Sequence, residues 1–282
     1  MKIRELKFLF ILSFLLISAV IAQMSWYGFY VVTSHNLFLN IAKVCHNWLQ
    51  AIDVSPLNAL LQLLAISTIV LFLIQIGRQF RLHHRFNRRM EALRDEPLTT
   101  EVREATGFGN KNLIVVQSDE WMALTCGFLK PKIILSSEMV TGLDKDELRA
   151  VVYHEGYHQR YFDPLKKLLI QTLTAAFWYI PILKWVAEQY HVCKELAADQ
   201  YSIDQMDNDL YLSAALLKLV RNGQGKAAHS FAVSFADTAV NYRIQQLVKP
   251  DEQVKVAVPL GSALLSFIIF LGMTGMFIIA LP

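Results

Sequence analysis

Cysteine is scarce in this chain of 282 residues. The three present, Cys45, Cys126 and Cys193, lie far apart, which excludes a disulfide framework and a cysteine-based zinc site. No internal repeat or low-complexity tract occurs, so solenoids and disordered arrays are excluded as well. A strong excess of one charge is also missing: 27 basic against 24 acidic residues leave a net charge of +3. That balance gives no argument for direct nucleic-acid binding. Most informative is where charge is absent altogether. Phe8–Val32, Val54–Gly77, Leu168–Leu183 and Val256–Pro282 contain no Asp, Glu, Lys or Arg. With 54% hydrophobic residues and a mean hydropathy of +0.33, the composition is more apolar than that of an ordinary soluble domain.

Three of the uncharged runs are long enough to cross a bilayer. Lys2, Arg4 and Lys7 precede the first, which puts the N-terminus in the cytoplasm. A cleaved signal peptide is the competing reading there, because Val20-Ile21-Ala22 resembles a cleavage site. Residues 33–53 mix charged and apolar positions near helical spacing, as an amphipathic helix on the outer surface would. Arg78, Arg81, Arg85, Arg88 and Arg89 follow the second run, so the chain from Arg78 onward is expected in the cytoplasm. A juxtamembrane anchor to anionic lipid explains this basic cluster more simply than nucleic acid does. The last run ends the chain outside. The expected domains are a two-span membrane region (1–77), a cytoplasmic domain (78–253) with a membrane-associated segment (168–183), and a C-terminal span (254–282).

Against this background stands Val151-Val152-Tyr153-His154-Glu155-Gly156-Tyr157-His158, a His-Glu-x-x-His motif. On a helix, His154 and His158 share a face and can hold one ion, and Glu155 beside them can take a proton from an attacking water. Asp144-Lys145-Asp146-Glu147 has the form of a capping box that starts this helix. Gly156 weakens the helix but admits a neighbouring helix or substrate closely. A catalytic zinc site needs a third protein ligand. Downstream, Glu195 and Asp199 form Glu-x-x-x-Asp, which suits a ligand carboxylate plus a carboxylate that orients a ligand histidine. Cys193 points away from that face and reads as packing.

Strands are expected at Asn112–Val116, Trp121–Phe128 and Lys132–Ser136, the last two joined by a turn at Leu129-Lys130-Pro131. A sheet edge beside the metal site would cradle an extended peptide. The 16 residues Leu168–Leu183 pose a conflict, because a full crossing would separate His154 from Glu195 across the membrane. The run is short and carries Pro181, so a re-entrant or membrane-surface segment that returns to the cytoplasm is expected. Residues 202–250 read as helical, with a break at Asn222-Gly223-Gln224-Gly225.

The blocks Cys126-Gly127-Phe128-Leu129-Lys130-Pro131-Lys132-Ile133-Ile134-Leu135, Glu147–His158, Asp163-Pro164-Leu165, Phe177-Trp178-Tyr179-Ile180-Pro181, Glu195-Leu196-Ala197-Ala198-Asp199 and Arg243-Ile244 resemble the BlaR/MecR-type antirepressor membrane metallopeptidases. The resemblance covers about residues 55–250. It implies zinc ligands at His154, His158 and Glu195 and a catalytic base at Glu155. It implies a gluzincin-like α+β zinc protease domain on an α-helical membrane protein, with a small β-sheet, about three spans and the re-entrant or surface helix. It also implies a bacterial plasma-membrane location, cleavage of a cytoplasmic protein such as a transcriptional repressor, and self-cleavage. Homo-oligomerisation is left open.

Two departures stand out. The sequence stops at its last span, where the best-known relatives continue into an external penicillin-binding sensor, and it has no Ser-x-x-Lys for acylation by β-lactams. Gly156-Tyr157 replaces the more usual larger residue and Ala. Tyr242, Arg243 and His229 are candidate oxyanion donors, with Arg243 alternatively pairing with an acid. Other functional readings are a quality-control protease for membrane proteins and a non-proteolytic receptor or scaffold with structural zinc.

Overall fold

The computed structural model describes residues 55–108, 112–223, 241–246 and 257–280, and, near the N-terminus, residues 11, 14–15, 18–23 and 25–26, which are helical. The expected first span is therefore described only in part. The proposed amphipathic segment 33–53 and His229 lie outside the described residues. What is described is mostly helical, with one three-stranded sheet. The chain divides into two compact units: residues 1–75, 172–187 and 255–282 form the first, and residues 76–171 and 188–254 the second.

Helix α1 (Ser55–Ala92) is 38 residues long, about 57 Å at 1.5 Å per residue. Its uncharged part is exposed: Leu63, Ile66, Ile69, Leu73 and Ile74 all face outward. Among the described residues, Ala59–Ala92 is the one helix long and apolar enough to cross a membrane. The helix does not stop where the arginines begin. Arg78–Arg89 continue it by more than three turns, because Arg, Leu, Phe and Met all sustain a helix and no Pro or Gly interrupts.

The first unit gathers Val20, Ala176, Phe177, Ile180, Leu183 and Met273 into an apolar cluster. The Leu168–Leu183 run is two helical pieces rather than one: α5 (Asp163–Ala176) ends, and α6 (Ile182–Met206) begins after a turn. Pro181 cannot donate its nitrogen to a continuing helix, which places the break. The last helix of the chain, Leu260–Ala280, supplies Ser266, whose hydroxyl caps α6 by accepting from Ile182 N at 3.0 Å.

The second unit is built on the sheet. Strands β1 (Leu113–Val116), β2 (Ala123–Cys126) and β3 (Lys132–Ser136) lie in the order β1-β3-β2, with β1 parallel and β2 antiparallel to β3. β2 is shorter than expected, and helices cover both faces of the sheet. Ile133 and Leu135 join Val102, Leu148, Val151 and Val152 on one face. Ile134 joins Met90, Val116 and Cys126 on the other. Burial on both sides explains why β1 and β3 read as unbroken apolar runs rather than alternating ones.

Helix α4 (Lys145–Arg160) carries the His-Glu-x-x-His motif and starts as its capping box predicts. Asp144 accepts from the nitrogens of Asp146 and Glu147, and Glu147 accepts from Asp144 N at 2.9 Å. The space that Gly156 leaves is taken by the ring of Phe108, whose edge would lie 3.0 Å from an added Cβ. Phe108, from the segment after the second-unit helix at Glu96–Thr106, takes the place expected for a neighbouring helix. Helix α6 ends at Met206, where Asp207 turns left-handed (φ 50°), before α7 (Leu210–Gly223). The helical reading of residues 202–250, with its break at Asn222–Gly225, does not include this one. Residues 241–246 form a further helical piece.

The β2–β3 turn depends on Gly127. Its φ is +109°, and an added Cβ would lie 2.5 Å from the carbonyl oxygen of Lys130. Gly127→Ala is therefore expected to lower stability by about 1–3 kcal/mol through backbone strain. An unchanged denaturation midpoint would show that the turn can re-form without glycine.

Candidate metal centre

All the groups that converge lie in the second unit. Helix α4 presents His154 and His158 one turn apart, both buried, with their Nε2 atoms 3.3 Å from each other. Helix α6 brings Glu195 against them. Its Oε2 is 3.3 Å from His154 Nε2 and 3.6 Å from His158 Nε2. Ser202, two turns further along α6, donates to the carbonyl of Ala150 at 2.7 Å and fixes the two helices together.

The outer imidazole nitrogens face carboxylates. His158 Nδ1 lies 2.7 Å from Asp163 Oδ2. His154 Nδ1 lies 2.8 Å from Asp199 Oδ1, a close charge contact rather than a well-aligned hydrogen bond. Protons held on the outer nitrogens turn both Nε2 lone pairs inward, toward each other and toward a carboxylate. Three electron-pair donors meeting in a buried space require a cation between them. Their spacing suits a small tetrahedral ion: ligand bonds of about 2.05 Å place neighbouring ligand atoms about 3.3 Å apart. These three ligand atoms all lie within 4.8 Å of one another.

The surrounding charges are arranged in layers. Asp199 accepts two bonds from Arg243, at 2.7 Å to Nε and 2.8 Å to Nη2. Arg243 Nη1 is also 3.8 Å from Glu195 Oε2. Lys194 Nζ lies 3.0 Å from the other oxygen of Glu195, Oε1, and His191 Nδ1 lies 3.8 Å from it. Tyr190 donates weakly to Asp163 at 3.5 Å.

Glu155 lies beside the histidines, nearly buried. The Thr125 hydroxyl on β2 is 2.8 Å from its Oε2 and 2.9 Å from its backbone oxygen. Of the remaining sequence candidates, Tyr242 is half-buried beside Arg243, and Arg243 itself is engaged by Asp199. Sequence reasoning did not find Thr125, Lys194 or His191, and met Asp163 only as part of a family block.

Burial, the largest influence on each of these groups, opposes charge, and the neighbours override it. The Asp163 and Glu195 contacts raise His158 to about 9, and Asp199 and Glu195 raise His154. Glu195 is held well below the carboxylate range by Lys194 and the two histidines. His191 goes the other way: burial, then Lys194, push it down to about 4, so its ring is neutral.

In the metal-free protein, then, protons occupy the place of the ion. Metal entry must displace them, so metal affinity should rise with pH up to about 9 and level off above. The same shift carries stability. The His158 contribution to the metal-free fold is complete below its unfolded value of about 6.5 and is lost as pH rises through about 9. Competition against a chelator of known pH dependence checks the first statement. A flat affinity between pH 6 and 8 would contradict it.

A helix with two inward imidazoles and an adjacent carboxylate, completed by a carboxylate from a second helix, is the arrangement that metallopeptidase sites use. Residues 11–247 match the BlaR1 peptidase M56 family. The chain belongs to that family of metallopeptidases. The regulatory protein BlaR1 of Bacillus licheniformis is 25% identical over 154 residues, covering 50% of this chain and 26% of that protein. The chain thus aligns with about a quarter of that relative's length.

Proposed function

We propose that the protein is a membrane-anchored, zinc-dependent endopeptidase of the gluzincin kind that cuts a cytoplasmic protein in antirepressor-type regulatory signalling. The observation that carries the reading is the convergence of His154 Nε2, His158 Nε2 and Glu195 Oε2 at 3.3–3.6 Å, with Glu155 alongside. Two imidazoles and a carboxylate match the donor preference of zinc, with one position left for substrate and water. Bound there, zinc would polarise the scissile carbonyl and lower the pKa of the attacking water.

The rest falls to the chain's own residues. Glu155 accepts the proton of the attacking water as its oxygen bonds to the carbonyl carbon. It then delivers that proton to the amide nitrogen as the C–N bond breaks. Thr125 fixes the Glu155 side chain during both transfers. Asp163 and Asp199 keep the histidine protons on the outer nitrogens, and Arg243 anchors Asp199. Among the described residues β2 has no second strand partner, and an extended peptide added to its edge would pass beside Glu155. The family's relative is a regulatory protein, which favours a specific substrate such as a repressor over general turnover.

The domain boundaries follow from this reading. Residues before 78 and after 253 hold spans, the segment around 168–183 enters and leaves on the cytoplasmic face, and the protease unit faces inward. Glu120 and Gln205, both exposed and on either side of that segment in sequence, test it. Introduced singly as cysteines with Cys126 and Cys193 replaced by alanine, both should resist an impermeant thiol reagent in intact cells and react after lysis. Native Cys45, in the expected external segment, should react without lysis. Labelling of Gln205→Cys alone would mean that Leu168–Leu183 crosses. Labelling of both would put the protease outside and exclude a cytoplasmic substrate.

A further inference from the structure

The β2–β3 turn has a feature that catalysis does not use. Residues 127–131 join the ends of β2 and β3, and Leu129 among them is 79% exposed. Lys130 beside it is also exposed. The turn is not free to fold back, because Phe128 is locked onto helix α1. Its ring lies 5.3 Å from that of Phe80 and 4.3 Å from that of His83.

That docking fixes the level of the turn along α1. Phe80 and His83 stand three and six residues beyond Gly77, the last residue of the uncharged run. The turn therefore sits roughly 5–9 Å past the end of that run. The headgroup layer on one side of a bilayer is about 5–8 Å deep. Leu129 thus stands at headgroup level if α1 runs near the membrane normal.

The charge on α1 fits the same surface. Arg78, Arg81 and Arg85 follow at helical spacing on one stripe, and all are exposed. Among the described residues no carboxylate pairs with them. Exposed Leu82 flanks that stripe, and exposed Phe80 lies at the same level on the opposite face, where Phe128 docks. Exposed arginines at the same level as exposed apolar side chains, on a helix that continues a membrane-crossing run, complement anionic phospholipid headgroups. An acidic protein surface would match the arginines but not exposed Leu129, Phe80 and Leu82.

We propose that the β2–β3 turn, with Arg78, Arg81 and Arg85, is a membrane-contact element that seats the metal-site unit on an anionic lipid surface. The turn is tied to the site at two points. Gln159 at the end of the motif helix donates to Pro131 O at 2.8 Å, and Thr125, which holds Glu155, lies on the same strand. Thr125 and Leu129 are four residues apart across the end of β2 and the turn, so at most roughly 13 Å separates them. Peptide bonds are therefore cut close to the bilayer, and the substrate class is a protein segment near the membrane, either juxtamembrane or recruited there. This inference rests on the membrane reading of α1.

The test uses the full chain in lipid nanodiscs and a photo-crosslinking residue, benzoylphenylalanine, at single positions. Position 129 probes the turn, exposed Leu63 in the uncharged run of α1 probes the span, and exposed Glu120 is the aqueous control. Lipid adducts are expected at 63 and 129 and not at 120. The yield at 129 should rise when phosphatidylglycerol is added to phosphatidylcholine, and should fall several-fold when Arg78, Arg81 and Arg85 are all changed to Gln. Adducts at 63 without any at 129 would overturn the inference and leave the membrane reading of α1 intact. No adduct at 63 would remove both. Adducts at 129 to protein rather than lipid in native membranes, or a yield indifferent to phosphatidylglycerol, would also overturn it.

Discussion

The Glu155→Gln protein should keep its metal and lose peptide cleavage by roughly 10²–10⁴-fold, the range a positioned general base supplies. The substitution is nearly isosteric. The amide oxygen can still accept from the Thr125 hydroxyl, 2.8 Å away in the native protein, so local packing survives. What is lost is the ability to take a proton from water and return it to the leaving amine. Glu155 is outside the set of three converging ligand atoms, so bound metal should be unchanged. Metal content by mass spectrometry and cleavage of a co-expressed substrate give the two readouts. Unchanged cleavage would refute the role of Glu155. Loss of metal along with cleavage would place Glu155 in the coordination shell instead. The inactive protein with its ligands intact should also hold its substrate, and cross-linking would then identify it.

The parts of the site that were legible in the sequence are those encoded within one helical turn. Asp144 with Glu147, His154 with His158, and Glu195 with Asp199 are pairs three or four residues apart, and a helix necessarily puts them together. Lys132–Ser136 was legible as a strand because its apolar run is bounded by Pro131 and by the polar start of the next helix. The supporting contacts were not legible for a different reason in each case. Thr125 and Glu155 are 30 residues apart and meet through the packing of β2 on α4, which no periodicity announces.

Asp163 is only five residues after His158, but it lies beyond the end of α4. It reaches the imidazole because Phe162 turns left-handed, with φ 53°, and starts a new helix there. A non-glycine residue in that conformation leaves little trace in sequence. Arg243 offered two readings, oxyanion donor or partner of an acid, and the fold binds its guanidinium to Asp199 across 44 residues. Lys194 adjoins Glu195 in sequence, yet neighbours on a helix point about 100° apart, so their ion pair could not be assumed.

Removing the third converging donor, the proposed ligand Glu195, should have the other large effect. Replacing Glu195 by Ala leaves two imidazoles and no carboxylate, one short of the three protein ligands of a catalytic zinc site. Metal affinity should fall by more than the roughly 10–100-fold that follows loss of an outer hydrogen-bond partner. Electrostatics push in the same direction. Lys194, 3.0 Å from Glu195 Oε1, and Arg243, 3.8 Å from Oε2, would then face the ion without the carboxylate that now offsets them. Two cations beside a vacated ligand position repel a third.

That same imbalance could also unfold the protein, because Lys194 is nearly buried. The Lys194→Gln/Glu195→Ala double variant separates the two causes, since it removes one unpaired charge while still lacking the ligand. Both variants should purify folded by circular dichroism, bind little metal and show no cleavage, and the double variant should be the more stable. Full metal retention in a folded Glu195→Ala protein would remove Glu195 from the ligand set. Recovery of metal in the double variant would show that charge repulsion, rather than a missing ligand, empties the site.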